Sequence, residues 1–149
     1  MNLTELLTPD CTVCAVPGTS KKTVLEHISK LASQKIRTSS EKELLNTLLN
    51  REKLSSTGIG NGIAIPHGRL DNADKVVAIL LTTAKPVEFD AIDDKPVDIF
   101  VALFVPSQQC ERHLETLASI AKRFSEKEFC RKIRRCQTSD QLYQTLIAC

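Results

Sequence analysis

The segment VDIFVALFV, from Val97 to Val105, is a nearly continuous apolar run, and VVAILL, from Val76 to Leu81, is a second one. Both runs are rich in β-branched residues, and neither shows the regular alternation of apolar and polar positions that marks a half-buried strand. Continuous runs of this kind are typical of strands buried on both faces of a sheet. The two runs therefore predict the centre of a small sheet that other elements must cover on both faces.

Helical patterns precede these two runs. After Pro17 and Gly18, apolar residues recur at helical spacing; they are Val24, Leu25, Ile28 and Leu31. A second helix is predicted to begin at a capping box formed by Ser40 and Glu43, in which each side chain satisfies the backbone N–H of the other residue. Its apolar face carries Leu44, Leu45, Leu48 and Leu49.

The last third of the chain is also predicted to be helical. One helix carries an apolar stripe formed by Leu114, Leu117, Ala118, Ala121 and Phe124. The pairs Ser125 with Glu128 and Thr138 with Gln141 have capping-box spacing, so two further helices are predicted to begin there. Helices therefore lie on both sides of the predicted sheet along the chain.

Pro86 and Pro96 bracket Val87, Glu88 and Phe89, which we predict to form a short edge strand because proline cannot donate to a sheet ladder. The chain has 149 residues, the size of one ordinary domain, and it contains no repeat or linker-like stretch. Helices that bracket a small sheet make an α/β fold. The sequence therefore predicts a single α/β domain over residues 1–149.

The formal net charge of +2 is too small to indicate nucleic-acid or membrane binding. Basic residues do cluster late in the chain, at Lys122, Arg123, Lys127, Arg131, Lys132, Arg134 and Arg135. One interpretation is a docking or nucleic-acid surface. The solvated face of a helix is favoured, since acidic residues are interleaved and no aromatic residues provide a stacking platform. We therefore expect no nucleic-acid partner.

The location of the protein is predicted from two features that the sequence lacks. No apolar run approaches the roughly 20 residues that a membrane-spanning helix needs. The first ten residues, MNLTELLTPD, do not have the pattern of a secretory signal peptide. We therefore expect a cytoplasmic protein that does not insert into a membrane.

The chain has six cysteines, of which Cys11 and Cys14 form a C-x-x-C pair. No second pair of this kind and no paired histidines follow at the spacing of a zinc site. The other four cysteines are Cys110, Cys130, Cys136 and Cys149. We interpret all six as reduced thiols, with a metal or redox role as the less favoured alternative.

Four of the five glycines lie in one short stretch, at positions 58, 60, 62 and 68. Glycine is used where the backbone adopts unusual dihedral angles or approaches another group closely. The stretch runs into IAIPHG, from Ile63 to Gly68. A short apolar strand is therefore predicted to end abruptly and to present the imidazole of His67 at its tip.

This segment matches neither of two common phosphate-binding loops. It lacks the Gly-Lys-Ser/Thr of a Walker loop, and Pro66 follows where a dinucleotide fingerprint requires the start of a helix. A phosphoryl group would therefore bind to His67 itself, since a neutral imidazole is a competent nucleophile near neutral pH. A structural loop or core histidine is the alternative, and the residues alone leave the two open.

The stretch REKLSSTGIGNGIAIPHG, from Arg51 to Gly68, resembles the active-site signature of type 2 EIIA domains of the phosphoenolpyruvate-dependent phosphotransferase system. The stretch Phe89–Asp93 and the pattern His113-Leu114-x-x-Leu117 are similar to the same family. The resemblance covers nearly the whole chain and is nearest to the nitrogen regulatory EIIA branch. It implies a small mixed sheet flanked by helices, as in mannitol-type EIIA proteins.

The resemblance also implies a set of site residues. His67 matches the histidine that is phosphorylated at Nε2, and His113 matches a second histidine that hydrogen-bonds the phosphoryl oxygens. Arg51 matches an arginine at the pocket, which suits an anion through its planar fork of donors. The implied activity is that of a phosphotransferase acting as a stoichiometric phosphocarrier. The implied donor is a small HPr-like protein, and no metal and no cofactor is expected.

For the nitrogen-related branch, the resemblance implies regulation of other proteins, such as potassium transport or sensor proteins, according to phosphorylation state. The alternative within the family is a sugar-system EIIA that donates its phosphoryl group to a separate EIIB. The alternative outside the family is a non-catalytic module that binds a phosphorylated partner without accepting the group.

Overall fold

A six-stranded sheet lies at the centre of the computed structural model, which describes residues 3–18 and 20–148. The strands are β1 (Thr12–Val16), β2 (Gly58–Gly60), β3 (Ile63–Ala64), β4 (His67–Leu70), β5 (Val77–Val87) and β6 (Val97–Pro106). The helices are α1 (Leu3–Leu6), α2 (Lys21–Ser33), α3 (Glu41–Leu54), α4 (Cys110–Phe124), α5 (Lys127–Arg135) and α6 (Ser139–Ala148). The predicted α/β class is confirmed.

The sheet is mixed, and the order of its strands is β1-β5-β6-β3-β2. β5 and β6 are antiparallel, whereas β1 runs parallel to β5 and β3 runs parallel to β6. β4 also pairs with β6 in parallel, beyond the end of β3. Ile63 pairs with Ile99 and His67 with Leu103, so β3 and β4 keep one register along β6. His67 therefore lies on the outermost strand at this end of the sheet.

Two apolar cores lie on the opposite faces of the sheet. Ile79, Leu81 and Phe100 point into the core formed with α2 and α3. Leu80 and Val101 point into the core formed with α4, α5 and α6. Successive residues of β5 and β6 thus contribute alternately to the two cores, because neighbouring side chains of a strand point to opposite faces. The prediction that both runs are buried on two faces is confirmed.

The predicted starts of two helices are confirmed by their capping contacts. Ser40 accepts a hydrogen bond from the backbone N–H of Glu43 at 3.1 Å, and the Glu43 carboxylate accepts one from the N–H of Ser40 at 3.0 Å. Thr138 accepts a hydrogen bond from the N–H of Gln141 at 3.1 Å, just before α6. These side chains satisfy backbone donors that have no partner inside their helix.

The predicted edge strand at residues 87–89 is wrong. Val87 is the last residue of β5 and pairs with Val97, and Phe89 lies outside the strand. β5 passes through Pro86 at a point where its register with β6 shifts. Proline is tolerated at such an irregularity because the ladder is already interrupted there.

The structure differs from the sequence prediction at two further places, the start of α5 and the strand β1. The N-cap of α5 is Glu126, which makes no side-chain capping bond, so the predicted capping box that begins at Ser125 is absent from this helix. β1 has no counterpart in the sequence prediction. It carries Cys14 and pairs with β5 at the far edge of the sheet.

The buried face of α4 is rotated from the predicted apolar stripe. Leu114 is 62% exposed, whereas His113 and Thr116 are buried and Phe124 is buried as predicted. A stripe that is drawn from apolar residues alone omits polar side chains that face the sheet. Because polar residues are seldom fully buried, His113 marks the start of α4 as a candidate functional region.

The late basic cluster lies largely on the exposed face of α5, which favours the interpretation as a solvated helix face. Arg134 pairs with Asp98 at 2.9 Å and Arg131 with Glu128 at 3.1 Å. Among the residues that the structure describes, no helix has both the length and the apolar character needed to cross a membrane.

Four of the six cysteines have described thiols, and these are free: Cys11, Cys14, Cys130 and Cys136. Cys149 and the side chain of Cys110 lie outside what the structure describes. Burial raises the pKa of the thiols of Cys11 and Cys130. Burial therefore disfavours the reactive thiolate form of these two residues.

Candidate active site

The glycine-rich segment folds into a tight hairpin of β2 and β3 that leads to His67. The turn holds Gly60, Asn61 and Gly62 at φ values of +102°, +58° and +80°. Glycine adopts such left-handed conformations without a steric penalty from Cβ. Asp93 accepts a hydrogen bond from the N–H of Asn61 at 2.9 Å, which holds the turn in place. The hairpin therefore explains the presence of Gly60 and Gly62 in the sequence.

His67 is the first residue of β4, and the predicted position at the tip of a strand is wrong. The strand is interrupted only at Ile65 and Pro66 and then resumes in the same register. The carbonyl of Pro66 accepts a hydrogen bond from the N–H of Leu103 at 2.9 Å, so pairing with β6 continues through the interruption. The backbone of His67 is therefore held by the sheet, while its imidazole is half-buried.

Two hydrogen bonds define the protonation of the His67 ring. Nδ1 lies 2.8 Å from the carbonyl oxygen of Ile65, and Nε2 lies 3.2 Å from Nε of Arg51. A carbonyl only accepts and a guanidinium only donates, so Nδ1 carries the proton and Nε2 offers its lone pair. Both contacts select the same neutral tautomer, which is the one whose nucleophilic atom is Nε2.

The pKa of His67 is lowered from its ordinary value, and burial of the ring is the largest cause. The hydrogen bond to the carbonyl of Ile65 raises this pKa, and the positive charge of Arg51 lowers it. Burial and a neighbouring cation both disfavour the imidazolium form. The ring therefore stays neutral, with its Nε2 lone pair available, at pH values near 7.

Close packing of α3 against β4 brings Arg51 to His67. Gly68 lies directly under Thr47 of α3, and a Cβ at position 68 would collide with the Thr47 side chain. Arg51 lies one helical turn further along α3 and donates from one terminal nitrogen to the carbonyl of Ser55 at 3.0 Å. This bond leaves Nε of Arg51 directed at the imidazole. The absent side chain of Gly68 is therefore part of the site.

The structure places the third predicted site residue, His113, in the first turns of α4, where 3% of it is exposed. α4 follows β6, the strand that pairs with β4. Within the predicted set, Arg51 and His67 contact each other. The catalytic role of His113 stays a prediction.

Two contributors to the site were not identified from the sequence. The carbonyl of Ile65 selects the tautomer of His67, and the carboxylate of Glu52 lies buried beside the site with 5% of its side chain exposed. A backbone carbonyl leaves no signal in a sequence. Glu52 does leave one, since an acidic residue stands next to Arg51 in the last turn of a helix before the glycine-rich segment.

The described side chains do not form a metal site. Within residues 3–18 and 20–148, no three histidine, cysteine, aspartate or glutamate side chains group closely enough to hold a metal ion.

Comparison with known proteins gives a consistent result. The family model described as "Phosphoenolpyruvate-dependent sugar phosphotransferase system, EIIA 2" matches residues 5–149. The nitrogen regulatory protein of Klebsiella oxytoca is 43% identical over 147 residues, which cover 98% of this chain and 90% of that protein. The crystal structure of nitrogen regulatory protein IIA-Ntr from Neisseria meningitidis is 33% identical, with a TM-score of 0.90 over 97% of this chain and 98% of that one.

A more distant structure shares the fold. The crystal structure of IIA mannitol from Escherichia coli superposes with a TM-score of 0.78 and covers 94% of this chain and 98% of that one. Its sequence is 17% identical, so this similarity concerns the fold alone. The predicted small mixed sheet flanked by helices, of the mannitol type, is confirmed.

Proposed function

Because the chain belongs to the EIIA 2 family of the phosphoenolpyruvate-dependent sugar phosphotransferase system, in its nitrogen regulatory branch, we propose that it is a cytoplasmic phosphocarrier that accepts a phosphoryl group on Nε2 of His67. Family membership gives the coarser role, which is phosphoryl transfer as a component of such a system. The acceptor atom, the donor and the regulated targets are the parts that we propose, together with one domain over residues 1–149.

The observation that carries the proposal is the protonation of the His67 ring. Nδ1–H is bound to the carbonyl of Ile65, and the Nε2 lone pair faces Nε of Arg51. A nucleophile must offer an unprotonated, reachable atom. This ring is half-buried, and its Nε2 accepts a hydrogen bond from a cation that suits an anion.

In the proposed reaction the lone pair of Nε2 attacks the phosphorus atom of a phosphorylated carrier protein. The bond between phosphorus and the donor's ring nitrogen breaks, and its electron pair stays with that nitrogen. The Nδ1 proton remains on His67, where the carbonyl of Ile65 stabilises the positive ring charge that develops. The donor's phosphorylated ring carries a proton on its other nitrogen, so it leaves as a neutral imidazole and no further proton transfer is required.

Arg51 and His113 have supporting roles in this proposal. Phosphoryl transfer spreads negative charge over three equatorial oxygens and is accelerated by fixed positive groups near them. Nε of Arg51, now 3.2 Å from Nε2, would turn to these oxygens when the phosphoryl group arrives. We assign His113, from the start of α4, a hydrogen bond to the same oxygens.

The proposed donor is a small HPr-like carrier protein. Large apolar side chains are exposed on the segments that lead to the site: Leu54 is 81% exposed, Ile59 41% and Ile92 83%. Ile92 donates a backbone hydrogen bond to Gly58 at 3.3 Å, so it lies against the hairpin that precedes His67. Exposed apolar residues around a reactive group favour a protein partner over a small soluble one.

We further propose that target proteins, such as potassium transport or sensor proteins, respond to the phosphorylation state. The relatives named nitrogen regulatory protein support this role over that of a sugar-system EIIA with a separate EIIB. Phosphorylation adds nearly two negative charges to the surface, which changes the electrostatic match with a partner. Pull-down with the phosphorylated and the unphosphorylated protein should recover different partners.

The acceptor is tested by incubation with a phosphorylated HPr-type donor, followed by intact mass measurement at neutral pH. The wild-type protein should gain one phosphoryl group, and His67→Ala should gain none while its unfolding temperature stays close to that of the wild type. His27→Ala, which removes a histidine on α2, serves as the matched control and should gain the group normally. Phosphorylation of the folded His67→Ala variant would show that another residue is the acceptor.

A further inference from the structure

We propose that Glu52 is a positioning residue, which acts through Thr57 and Ile65 to hold His67 in the tautomer that leaves Nε2 unprotonated. This inference rests on the proposed acceptor role of His67 and deepens it. Glu52 acts without touching the imidazole. It fixes the backbone groups that decide which ring nitrogen carries the proton.

The carboxylate of Glu52 is buried and fully engaged. Its oxygens each accept a hydrogen bond from the N–H of Thr57 at 3.2 Å, and the Thr57 hydroxyl donates to the same carboxylate. Nζ of Lys21, at the start of α2, lies 2.8 Å from the other side of this carboxylate. Glu52 thereby joins α2 and α3 to the first residue of the glycine-rich segment.

Lys21 makes further contacts, with Phe89. Its Nζ lies 4.5 Å from the centre of the Phe89 ring and donates to the Phe89 carbonyl at 3.4 Å. A buried carboxylate needs such a compensating cation, because desolvation of an unpaired charge is costly. Lys21 therefore compensates the charge of the Glu52 carboxylate, whose oxygens accept from both donor groups of Thr57.

Two backbone hydrogen bonds continue from Thr57 to the imidazole. The carbonyl of Thr57 accepts from the N–H of Ile65 at 3.0 Å. The carbonyl of the same Ile65 accepts from Nδ1–H of His67 at 2.8 Å. The N–H of Ile65 is thus linked, through Thr57, to the ion pair of Glu52 and Lys21, and the carbonyl of the same residue binds Nδ1 of His67.

The direction of the Ile65 carbonyl matters because a neutral histidine can carry its proton on either nitrogen. With the carbonyl in place, the proton on Nδ1 is bound and Nε2 stays unprotonated, with its lone pair facing Arg51. Pro66 follows Ile65 and supplies no N–H, and its carbonyl pairs with Leu103. The bond from Ile65 to Thr57 is therefore the contact that links this interruption to Glu52. Loss of the Glu52 contacts should let Thr57 and Ile65 shift, and the tautomer with a proton on Nε2 should become populated.

The test measures the tautomer directly, by ¹⁵N NMR of the His67 ring in the unphosphorylated protein above its pKa. The wild-type ring should show a protonated Nδ1 and an unprotonated Nε2. Glu52→Ala should give a mixture of the two tautomers and a transfer rate from the HPr-type donor that is lower by about tenfold or more. Glu52→Gln keeps one acceptor oxygen for Thr57 and should lie between the wild type and Glu52→Ala.

Three further measurements separate positioning from other effects. Glu41→Ala removes an equal charge from the exposed start of α3 and should leave both the tautomer and the rate unchanged. Thr57→Val removes only the hydroxyl contact and should give a small shift in the same direction. The KM for the donor should stay constant in the Glu52 variants while kcat falls, since the docking surface is intact.

The results distinguish the failure of this inference from the failure of the proposed function. If folded Glu52→Ala retains the wild-type tautomer, Glu52 has no positioning role, whatever the transfer rate. Should Glu52→Ala not fold, Glu52→Gln and Thr57→Val decide the question, and the wild-type tautomer in both would overturn the inference. If the wild-type protein accepts no phosphoryl group, the acceptor role fails, and the NMR result still shows whether Glu52 controls the ring.

Discussion

The central strands β5 and β6 and the segment from Thr57 to Leu70 lie side by side in the same sheet. They differ in strand length, in side-chain burial and in glycine content. β5 and β6 have 11 and 10 residues, and most of their side chains are buried in one of two apolar cores. The neighbouring segment forms strands of three, two and four residues. It contains four of the five glycines and the half-buried His67.

The difference between these regions indicates that the central strands stabilise the fold and that the edge segment carries the chemistry. The central pair derives its stability from apolar burial, which does not depend on direction and tolerates no gaps. The edge segment also buries apolar side chains, among them Ile63, Ile65 and Leu70. Its shape depends in addition on hydrogen bonds that Glu52, Ile65 and Asp93 accept. Substitutions in the first region should therefore change the free energy of unfolding, and those in the second should change phosphoryl transfer.

The largest loss of stability is expected from the central pair. Leu80→Ala in β5 empties a position that is 0% exposed, and it should lower the free energy of unfolding by about 2–5 kcal/mol. Chemical denaturation measures this change. The fraction that remains folded should still accept a phosphoryl group at the wild-type rate. A loss below about 1 kcal/mol, or slow transfer by the folded fraction, would show that the two regions are not separable.

A smaller loss of stability, combined with slower phosphoryl transfer, is expected at Gly68, where β4 contacts α3. Gly68→Val should force α3 away from β4, because the new side chain would occupy the space of the Thr47 methyl group. We expect a loss of about 1–3 kcal/mol, as in other overpacked sites, together with slower transfer, since Arg51 moves with α3.

Thr47→Ala is the companion variant for this test, because it removes the methyl group that the introduced valine side chain would strike. In the double variant, part of both losses should be recovered, and a double-mutant cycle measures this coupling. Additive effects of the two substitutions would show that the close approach at Gly68 does not position Arg51.

The smallest change in stability is expected at Arg51. Arg51→Ala should alter the free energy of unfolding by about 1 kcal/mol or less, since it removes hydrogen bonds at a partly exposed position. It should slow phosphoryl transfer and raise the pKa of His67, because a nearby positive charge disfavours the imidazolium form. NMR titration of the His67 ring measures the second effect.

Arg51→Lys separates the charge of Arg51 from its geometry. The variant keeps a cation but loses the planar fork of donors, so the pKa of His67 should stay near the wild-type value while transfer remains slow. If the pKa of His67 does not rise in Arg51→Ala, the assigned contact between Arg51 and Nε2 of His67 is wrong.

The free energy of unfolding of the wild-type protein should also depend on pH. Because folding lowers the pKa of His67, the unfolded chain binds more protons just below about pH 6.5, and stability should rise with pH through that window.

Much of the fold could be predicted from local patterns. The apolar runs gave β5 and β6, and helical spacing with a capping box gave α2 and α3. β1 was missed because its five residues show neither a long apolar run nor a clear alternation, and its pairing with β5 is contributed by distant residues. The face of α4 was misplaced because the sheet buries His113 and Thr116, which an apolar pattern does not count.

The site was predicted in part for the same reason. His67 and Arg51 stand out through the glycine-rich stretch and the family resemblance, and the structure places their side chains in contact. Their relation to Glu52, Lys21 and the carbonyl of Ile65 could not be read from spacing, since it depends on how α2, α3 and the hairpin pack together.

By itself, the sequence determined the α/β class, the two buried strands, the glycine-rich turn and the histidine that the family resemblance singles out. Each of these follows from residues close together in the chain, whose preferences are local. Only the tertiary structure decided that His67 begins a strand at the edge of the sheet, that Arg51 faces its Nε2, and that Ile65 holds its other nitrogen. Those features depend on distances between side chains brought together by packing, and hydrogen bonds act only at such distances.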